Sequence, residues 1–288
     1  MNKRGLEASS AKTLQLAART GYGARGVVYC LVGGLAVLAA IGTGGETGGS
    51  RNALQTLLGQ PLGKILLGLI SLGLVFFAIW RVMEALADAD RRGTSWRALG
   101  KRAAYLVSAA IYGGLAVFSI NLMLGRRAGS ANDDAAARDW TAWLLEQPFG
   151  QWLVAAIGLS VAATGFAFMR KGWHGDVTRD LSLPANARTW VPQLGRAGYF
   201  ARGIVFVIIG GFLVLAAING NSSEARGIGG ALESLQSQPY GWVLLGVTAL
   251  GLVAFGIFGL AQARYRVVRP PDFDAPLASA AALARKRI

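Results

Sequence analysis

Charged residues are scarce in this sequence. Asp, Glu, Lys and Arg make up 15% of its 288 residues, hydrophobic residues make up 53%, and the mean hydropathy is +0.42. Soluble domains carry about 25% charged residues, most of them at the surface. The shortage of charge therefore argues against a soluble protein.

Histidine and cysteine are nearly absent. His174 and Cys30 are the single copies, so an internal disulfide is excluded. The segment 173–176 offers one imidazole and one carboxylate, which are too few ligands for a metal ion. We expect a buried, inert thiol at Cys30 and neither a metal site nor a cofactor.

Signatures of catalysis are also missing. The sequence has no nucleophile elbow, no phosphate-binding P-loop, and no pair of carboxylates within an apolar run that could act as general acid and base. Asp133, Asp134 and Asp139 cluster outside the apolar runs, as is typical of a solvated loop. We expect the protein not to be an enzyme.

Long apolar runs are what the sequence does contain. A stretch of about 20 uncharged residues is long enough to cross the hydrocarbon core of a membrane. One shorter run, 65–80, is flanked by Lys64 and Arg81, whose long side chains can reach the membrane interfaces. The pattern predicts an all-α integral membrane protein with six transmembrane helices, over 26–45, 65–80, 103–125, 147–169, 203–223 and 234–263.

The net charge of +14 is distributed unevenly along the chain. Twenty Lys and Arg residues lie in the N-terminal tail, in the loops 87–102 and 169–200 and in the segment after Ala261, whereas five lie in the alternate loops. This asymmetry follows the positive-inside rule, which predicts that both termini are cytoplasmic. We expect the basic charge to contact anionic lipid headgroups, and we expect no nucleic-acid partner.

The chain is built from one two-helix unit that is repeated three times. The tetrapeptide Gln-Pro-x-Gly occurs at 60–63, 147–150 and 238–241, each at the start of an even-numbered helix. Units of two helices share one orientation in the membrane, which predicts parallel repeats in a pseudo-threefold arrangement. The predicted boundaries are a tail at 1–23, repeats at 24–86, 87–169 and 170–265, the last with its preceding loop, and a tail at 266–288.

Proline and glycine in these repeats have a structural interpretation. Proline suits the first turn of a helix because its missing N–H has no partner there. Gln-Pro-x-Gly therefore predicts a helix entry, with direct ligand contact as the alternative. Paired glycines let helix backbones approach closely in lipid. The residues concerned are Pro61, Pro148, Pro239, Gly33, Gly34, Gly113, Gly114, Gly210 and Gly211.

A half-apolar segment precedes each Gln-Pro-x-Gly motif. These segments cover 52–58, 139–145 and 231–236. Their composition predicts short helices that lie along the outer membrane surface. The alternative is that they form a cap over a central opening.

Four arginines are candidates for binding lipid headgroups. Arg25 and Arg202 occupy equivalent positions in repeats one and three, and Arg19 and Arg196 precede them in Arg-x-Gly-Tyr phrases. Arginine can hold a phosphate with two parallel hydrogen bonds. The alternative is that these side chains are anchors that reach the membrane interface.

Arg81 and Glu84 form a separate candidate. They lie three residues apart on one predicted helix, which is close enough for an ion pair. The other repeats lack this pair. We expect a local intramembrane ion pair, with a role in transport as the alternative.

These motifs resemble those of a bacterial membrane family known as domain of unknown function 1206. The matching residues are Ala24 to Tyr29, Ala201 to Phe206 and the three Gln-Pro-x-Gly copies, within residues 16–265. Repeat two departs from the pattern, with Ala104-Tyr105-Leu106 in place of Ala-Arg-Gly. The resemblance implies the six-helix repeat fold and the bacterial inner membrane, and it supplies no assigned activity.

Three non-catalytic functions remain open. The first is a channel or transporter whose pathway follows the pseudo-threefold axis. The second is lipid binding or a scaffold role that uses Arg25, Arg202 and the glycine faces. The third is an accessory subunit that packs against another membrane protein or a second copy. Polar groups are few at mid-membrane depth, so we favour a lipid-binding, scaffold or accessory role.

Overall fold

The computed structural model describes residues 3–86, 96–126, 129–130, 132–175 and 177–267, with side chains from residue 15 to 86 and from residue 99 onward. Its regular elements in these ranges are α-helices and two short 3-10 helices, with one isolated β-bridge. The α-helices are α1 (Lys3–Ala40), α2 (Ser50–Leu58), α3 (Gly63–Leu86), α4 (Trp96–Met123), α5 (Asp133–Leu145), α6 (Gly150–His174), α7 (Trp190–Asn219), α8 (Ile228–Gln236) and α9 (Gly241–Tyr265).

Six of these helices are long and apolar enough to cross a membrane, namely α1, α3, α4, α6, α7 and α9. The predicted all-α fold with six spanning helices is confirmed. α1 begins at Lys3, so residues 3–23, which were expected to form a tail, are helical. Most of the predicted loop 87–102 and of the tail 266–288 lies outside the described residues.

The three Gln-Pro-x-Gly motifs form the same turn. The glycine N–H donates to the glutamine carbonyl in each copy, at 2.9, 2.9 and 2.8 Å in chain order. The third residue of each copy adopts a left-handed backbone, with φ of 64°, 61° and 58° at Leu62, Phe149 and Tyr240. This conformation costs a non-glycine residue about 1 kcal/mol.

The long helices begin at the motif glycine and not at the proline. The prediction that Pro61, Pro148 and Pro239 lie in the first helical turn is therefore wrong by two residues. The reason is that the chain must first turn from a short helix into a spanning one. A Cβ on the glycine would overlap backbone carbonyl oxygens at the end of that short helix, so glycine is required there.

The spanning helices form an incomplete ring. Around the bundle, α1 packs on α3, α3 on α4, α6 on α7, α7 on α9, and α9 on α1. α4 and α6, the two helices of repeat two, make no comparable contact in the part of the chain that the structure describes. The three repeats therefore follow a pseudo-threefold order with one interface missing.

The short helix α5 contacts both α2 and α8 at one end of the bundle, here called the cap end. Asp133 Oδ2 accepts a hydrogen bond from the N–H of Arg51 at 3.2 Å, at the start of α2. Asp134 Oδ1 accepts from the N–H groups of Gly227 and Gly230 at 2.6 and 3.0 Å, at the start of α8. Both carboxylates satisfy backbone donors that have no partner within their helix. The segments thus pack together through α5, whereas a cap over a central opening stays a prediction.

The two glycines of each pair differ in how closely other atoms surround them. A Cβ at Gly33 would lie 2.7 Å from Val253 N on α9, and one at Gly210 would lie 2.6 Å from Ala162 N on α6. The first glycine of these pairs therefore allows two backbones to meet. A Cβ would meet nothing within 4 Å at the second glycine of each pair, Gly34, Gly114 and Gly211.

Candidate anion-binding site

The interior of the bundle is aromatic. Tyrosine and phenylalanine rings from α1, α3, α4, α7 and α9 pack edge to face, with centroids from 4.7 to 5.4 Å apart. Such pairs add about 0.5–1.5 kcal/mol beyond the area that they bury. The rings of this aromatic core belong to Tyr22, Tyr29, Phe77, Tyr112, Tyr199 and Phe255.

Arg25 of α1 points into the aromatic core. The residue is 4% exposed, and its guanidinium carbon lies 5.1 Å from the ring centroids of both Phe77 and Phe255. Its Nη2 donates to Gln262 Oε1 at 2.9 Å, while its Nε is buried without a hydrogen-bond partner. Arg25 lies roughly 22 Å along α1 from the cap end, at 1.5 Å per residue, and so within the membrane-spanning segment.

Arg202 of α7 also points into the aromatic core. Its guanidinium carbon lies 4.9 Å from the ring centroids of Phe206 and Phe255 and 5.0 Å from that of Phe168. Its Nε is buried without a hydrogen-bond partner. Arg25 and Arg202 thus share the ring of Phe255.

Among the described residues, no carboxylate forms an ion pair with Arg25 or Arg202. Glu84 is the single acidic residue within the six spanning segments. Glu84 Oε2 lies 2.6 Å from Arg81 Nη1, and Glu84 Oε1 lies 3.3 Å from Arg266 Nη2. The expected pair of Arg81 and Glu84 is therefore present, and it leaves no acidic side chain for Arg25 and Arg202. Cation–π contacts contribute about 0.5–2 kcal/mol each, which offsets part of the cost of burying a charge.

Tyrosine rings border the two guanidinium groups. The guanidinium carbon of Arg202 lies 5.3 Å from the Tyr29 ring centroid, and that of Arg25 lies 5.3 Å from the Tyr22 ring centroid. Guanidinium groups donate hydrogen bonds and cannot accept a proton at neutral pH. The arrangement is suited to holding an oxyanion such as phosphate or carboxylate, and it offers no general base for moving a proton.

Comparison with known proteins identifies the repeats. The family model described as Domain of Unknown Function (DUF1206) matches residues 20–88, 103–175 and 197–266, so each pair of spanning helices is one match. The protein belongs to the DUF1206 family. It is 34% identical over 251 residues to an uncharacterized protein, YxxB, of Bacillus subtilis (strain 168), across 86% of this chain and 90% of that protein. No solved structure matches the chain.

The resemblance stated from the sequence motifs is thus confirmed. The three DUF1206 matches and the six apolar helices show a multi-pass membrane protein with internal repeats. The family description names no activity.

The DUF1206 repeats place three different side chains at one equivalent position of their even-numbered spanning helices. Gln262 in repeat three accepts the hydrogen bond from Arg25. In repeat two, Lys171 Nζ donates to the Tyr199 hydroxyl at 3.3 Å. Glu84 in repeat one takes the ion pairs already described. Gln262 was not predicted as a site residue. Alignment of the three even-numbered helices on their motif glycines puts Gln262 at the position of Glu84, and this equivalence could have identified it as a candidate.

The other two predicted arginines lie at the end of the bundle away from the cap, here called the termini end. Arg196 donates from Nε to the Gly172 carbonyl at 3.3 Å and from Nη2 to the Trp173 carbonyl at 2.9 Å, which caps the end of α6. Arg19, its equivalent in the first DUF1206 repeat, has a buried Nε without a hydrogen-bond partner. Lipid binding at Arg19 and Arg196 stays a prediction.

Proposed function

We propose that this DUF1206 protein is a non-enzymatic membrane protein that binds an anionic lipid, with the headgroup held by Arg25 and Arg202 inside the bundle. The observation that carries the proposal is the pair of buried guanidinium groups without a carboxylate partner. An intramembrane charge is costly and is a candidate for function by default. A phosphate between the two groups would supply the missing counter-charge and accept from the unpartnered N–H groups.

The location of the pair fits a lipid ligand. Arg25 lies in the half of its spanning segment, Gln15–Ala40, that is nearer the termini end, and Arg202 lies at the middle of Ala185–Asn219. The distribution of Lys and Arg supports a cytoplasmic position for that end. The cytoplasmic leaflet is rich in anionic lipid, so the proposed ligand is abundant next to the site.

A binding role is favoured over a channel or transporter. The short helices meet at the cap end through α5, and edge-to-face aromatic rings lie in the interior beneath them. Both features oppose a continuous water-filled path along the pseudo-threefold axis. Ion or solute flux through the purified protein in liposomes would count against this preference.

The test replaces both arginines by a neutral side chain. R25Q/R202Q removes two positive charges and keeps side chains that can hydrogen-bond. R126Q/R226Q removes the same charge at the cap end and is the matched control. Both variants are purified from membranes that contain phosphatidylglycerol and phosphatidylethanolamine, and native mass spectrometry measures the lipid retained per protein.

We expect the control to retain phosphatidylglycerol as the unmodified protein does, and R25Q/R202Q to lose at least about tenfold, which corresponds to about 1.4 kcal/mol of binding free energy. R25K/R202K keeps the charge and loses the bidentate geometry, so we expect intermediate retention. Equal retention by R25Q/R202Q and the control would refute the proposal. Circular dichroism of each variant checks that the helices are intact.

A further inference from the structure

The gap between α4 and α6 is the largest departure from the repeat symmetry. In repeat one, Ala24 lies so close to Gly73 that a Cβ on the glycine would overlap it, and repeat three has the same contact. The equivalent residues of repeat two are Ala104 on α4 and Ser160 on α6, and both are exposed. The two helices of repeat two are therefore separated where the others touch.

Side chains on α6 leave room in this gap. Phe77 and Phe255, which are fully buried on α3 and α9, are replaced on α6 by the smaller Thr164. Ile157 of α6 is 42% exposed, whereas its equivalent on α3, Ile70, is 7% exposed. α6 thus leaves open a face that the other even-numbered spanning helices bury.

The hydroxyl groups on this face are already satisfied. Ser160 Oγ donates to the Ala156 carbonyl at 2.7 Å, and Thr164 Oγ1 donates to the Ser160 carbonyl at 2.8 Å. Both bonds stay within α6, as is common for Ser and Thr in helices. On the α6 wall these two hydroxyls are therefore paired, and the methyl and methylene groups beside them suit an alkyl chain.

Positive charge lies at the termini end of the gap. Lys171 is exposed near the end of α6, and its Nζ bonds to the Tyr199 hydroxyl. The Tyr199 ring lies 5.7 Å from that of Phe168, and the guanidinium carbon of Arg202 lies 5.0 Å from the Phe168 ring. A molecule in the gap would meet apolar groups along its length and cations at one end.

We infer that the gap between α4 and α6 is the binding site for one acyl chain of an anionic phospholipid, whose phosphate is held by Arg25 and Arg202 with Lys171 beside it. The inference rests on the proposed function and specifies the ligand and its route, which is lateral entry from the bilayer. The charge pattern orients the lipid with its headgroup toward the termini end. A transmembrane helix of a second copy is a less fitting occupant, because none of the six spanning segments carries an acidic residue except Glu84, which is already paired.

The test fills the gap without disturbing a packed contact. S160W places a large side chain at an exposed position in the gap, and L159W places the same side chain one residue away, at a position that is 62% exposed to lipid. Each variant is reconstituted with dioleoyl phosphatidylglycerol and dioleoyl phosphatidylcholine, and native mass spectrometry measures the bound phosphatidylglycerol and the oligomeric state. Excess inorganic phosphate is added in a parallel sample.

We expect S160W to lose at least about tenfold in retained phosphatidylglycerol, L159W to retain it, and inorganic phosphate not to displace it. If R25Q/R202Q loses phosphatidylglycerol and S160W retains it fully, the headgroup site is supported and the acyl-chain site between α4 and α6 is refuted. Displacement by inorganic phosphate would identify a soluble anion as the ligand and overturn the inference too. A dimer that S160W dissociates would show that a second copy occupies the gap. Retention in both S160W and R25Q/R202Q would overturn the proposed function together with the inference.

Discussion

The contact between α6 and α7 depends on the absence of a side chain at Gly210. A Cβ there would lie 2.6 Å from Ala162 N and 2.7 Å from the Gly158 carbonyl oxygen. Both atoms belong to the backbone of α6, so they cannot move aside as the end of a flexible side chain can. Real Cβ atoms essentially never approach this closely, and the two helices must separate to admit the methyl group.

The size of the effect follows from these contacts. Overpacking a well-packed interface costs about 1–3 kcal/mol, so we expect G210A to be destabilised by that amount. Gly211 has no atom within 4 Å of its added Cβ, and alanine has a helix propensity about 1 kcal/mol better than glycine. We therefore expect G211A to be as stable as the unmodified protein or slightly more stable, and the two variants to differ by about 2–4 kcal/mol.

Repeat two supplies an internal control for the same motif. A Cβ at Gly113 would lie 3.8 Å from Ala78 Cβ, which is ordinary van der Waals contact. We expect G113A to be tolerated although Gly113 and Gly210 occupy equivalent positions. Unfolding by sodium dodecyl sulfate in mixed micelles, followed by circular dichroism, measures the free energies. Equal stability of G210A, G211A and G113A would refute the close approach of α7 to α6.

Further predictions concern Arg25 and the cap. Q262E replaces the amide that accepts from Arg25 Nη2 by a carboxylate, so we expect a higher melting temperature in detergent and less retained phosphatidylglycerol. Q262L removes the acceptor and should lower the melting temperature. Unchanged lipid retention in Q262E would contradict the proposed role of Arg25 in binding the headgroup. D134A removes the acceptor of two backbone N–H groups at the start of α8, and we expect a loss of about 1–2 kcal/mol in the free energy of unfolding, measured in the same micelles, with D139A as the control. Burial raises the pKa of Asp133 above its ordinary value of 3.8, and the bonds from Arg51 oppose this rise. A raised pKa in the folded state means that the contribution of Asp133 to stability is largest below pH 3.8 and is lost as the pH rises through the raised pKa. D133N should abolish this part of the pH dependence of the melting temperature, and an unchanged profile would contradict the burial of the carboxylate.

The sequence predicted the helices because their signal is local. Each spanning helix is an apolar run of sufficient length, and each Gln-Pro-x-Gly motif marks the start of such a helix. The predicted starts, at residues 65, 147 and 234, differ from the observed starts at Gly63, Gly150 and Gly241. The reason is that the turn at each motif depends on the approach of a preceding short helix. Local propensity favours proline at a helix start and carries no information on that approach.

The site was predicted only in part because its contacts are distant in the chain. Arg25 and Arg202 were found from their equivalent positions in two repeats. Gln262, which bonds to Arg25, lies 237 residues from it, and no local pattern connects the two. The gap between α4 and α6 depends on which helices become neighbours. In the sequence it is marked only by differences between repeats, such as Ser160 at the position of Gly73 and Thr164 at that of Phe77. These differences indicate a gap only once the packing of the helices is known.

The central claim is that Arg25 and Arg202 hold the anionic headgroup of a lipid. The most direct measurement is an experimental structure of the protein in nanodiscs of phosphatidylglycerol, at a resolution that shows bound lipid. We expect phosphate density within hydrogen-bond distance of the Arg25 and Arg202 guanidinium groups, with an acyl chain continuing between α4 and α6. Closed contact between α4 and α6, with both guanidinium groups surrounded by protein atoms alone, would contradict it.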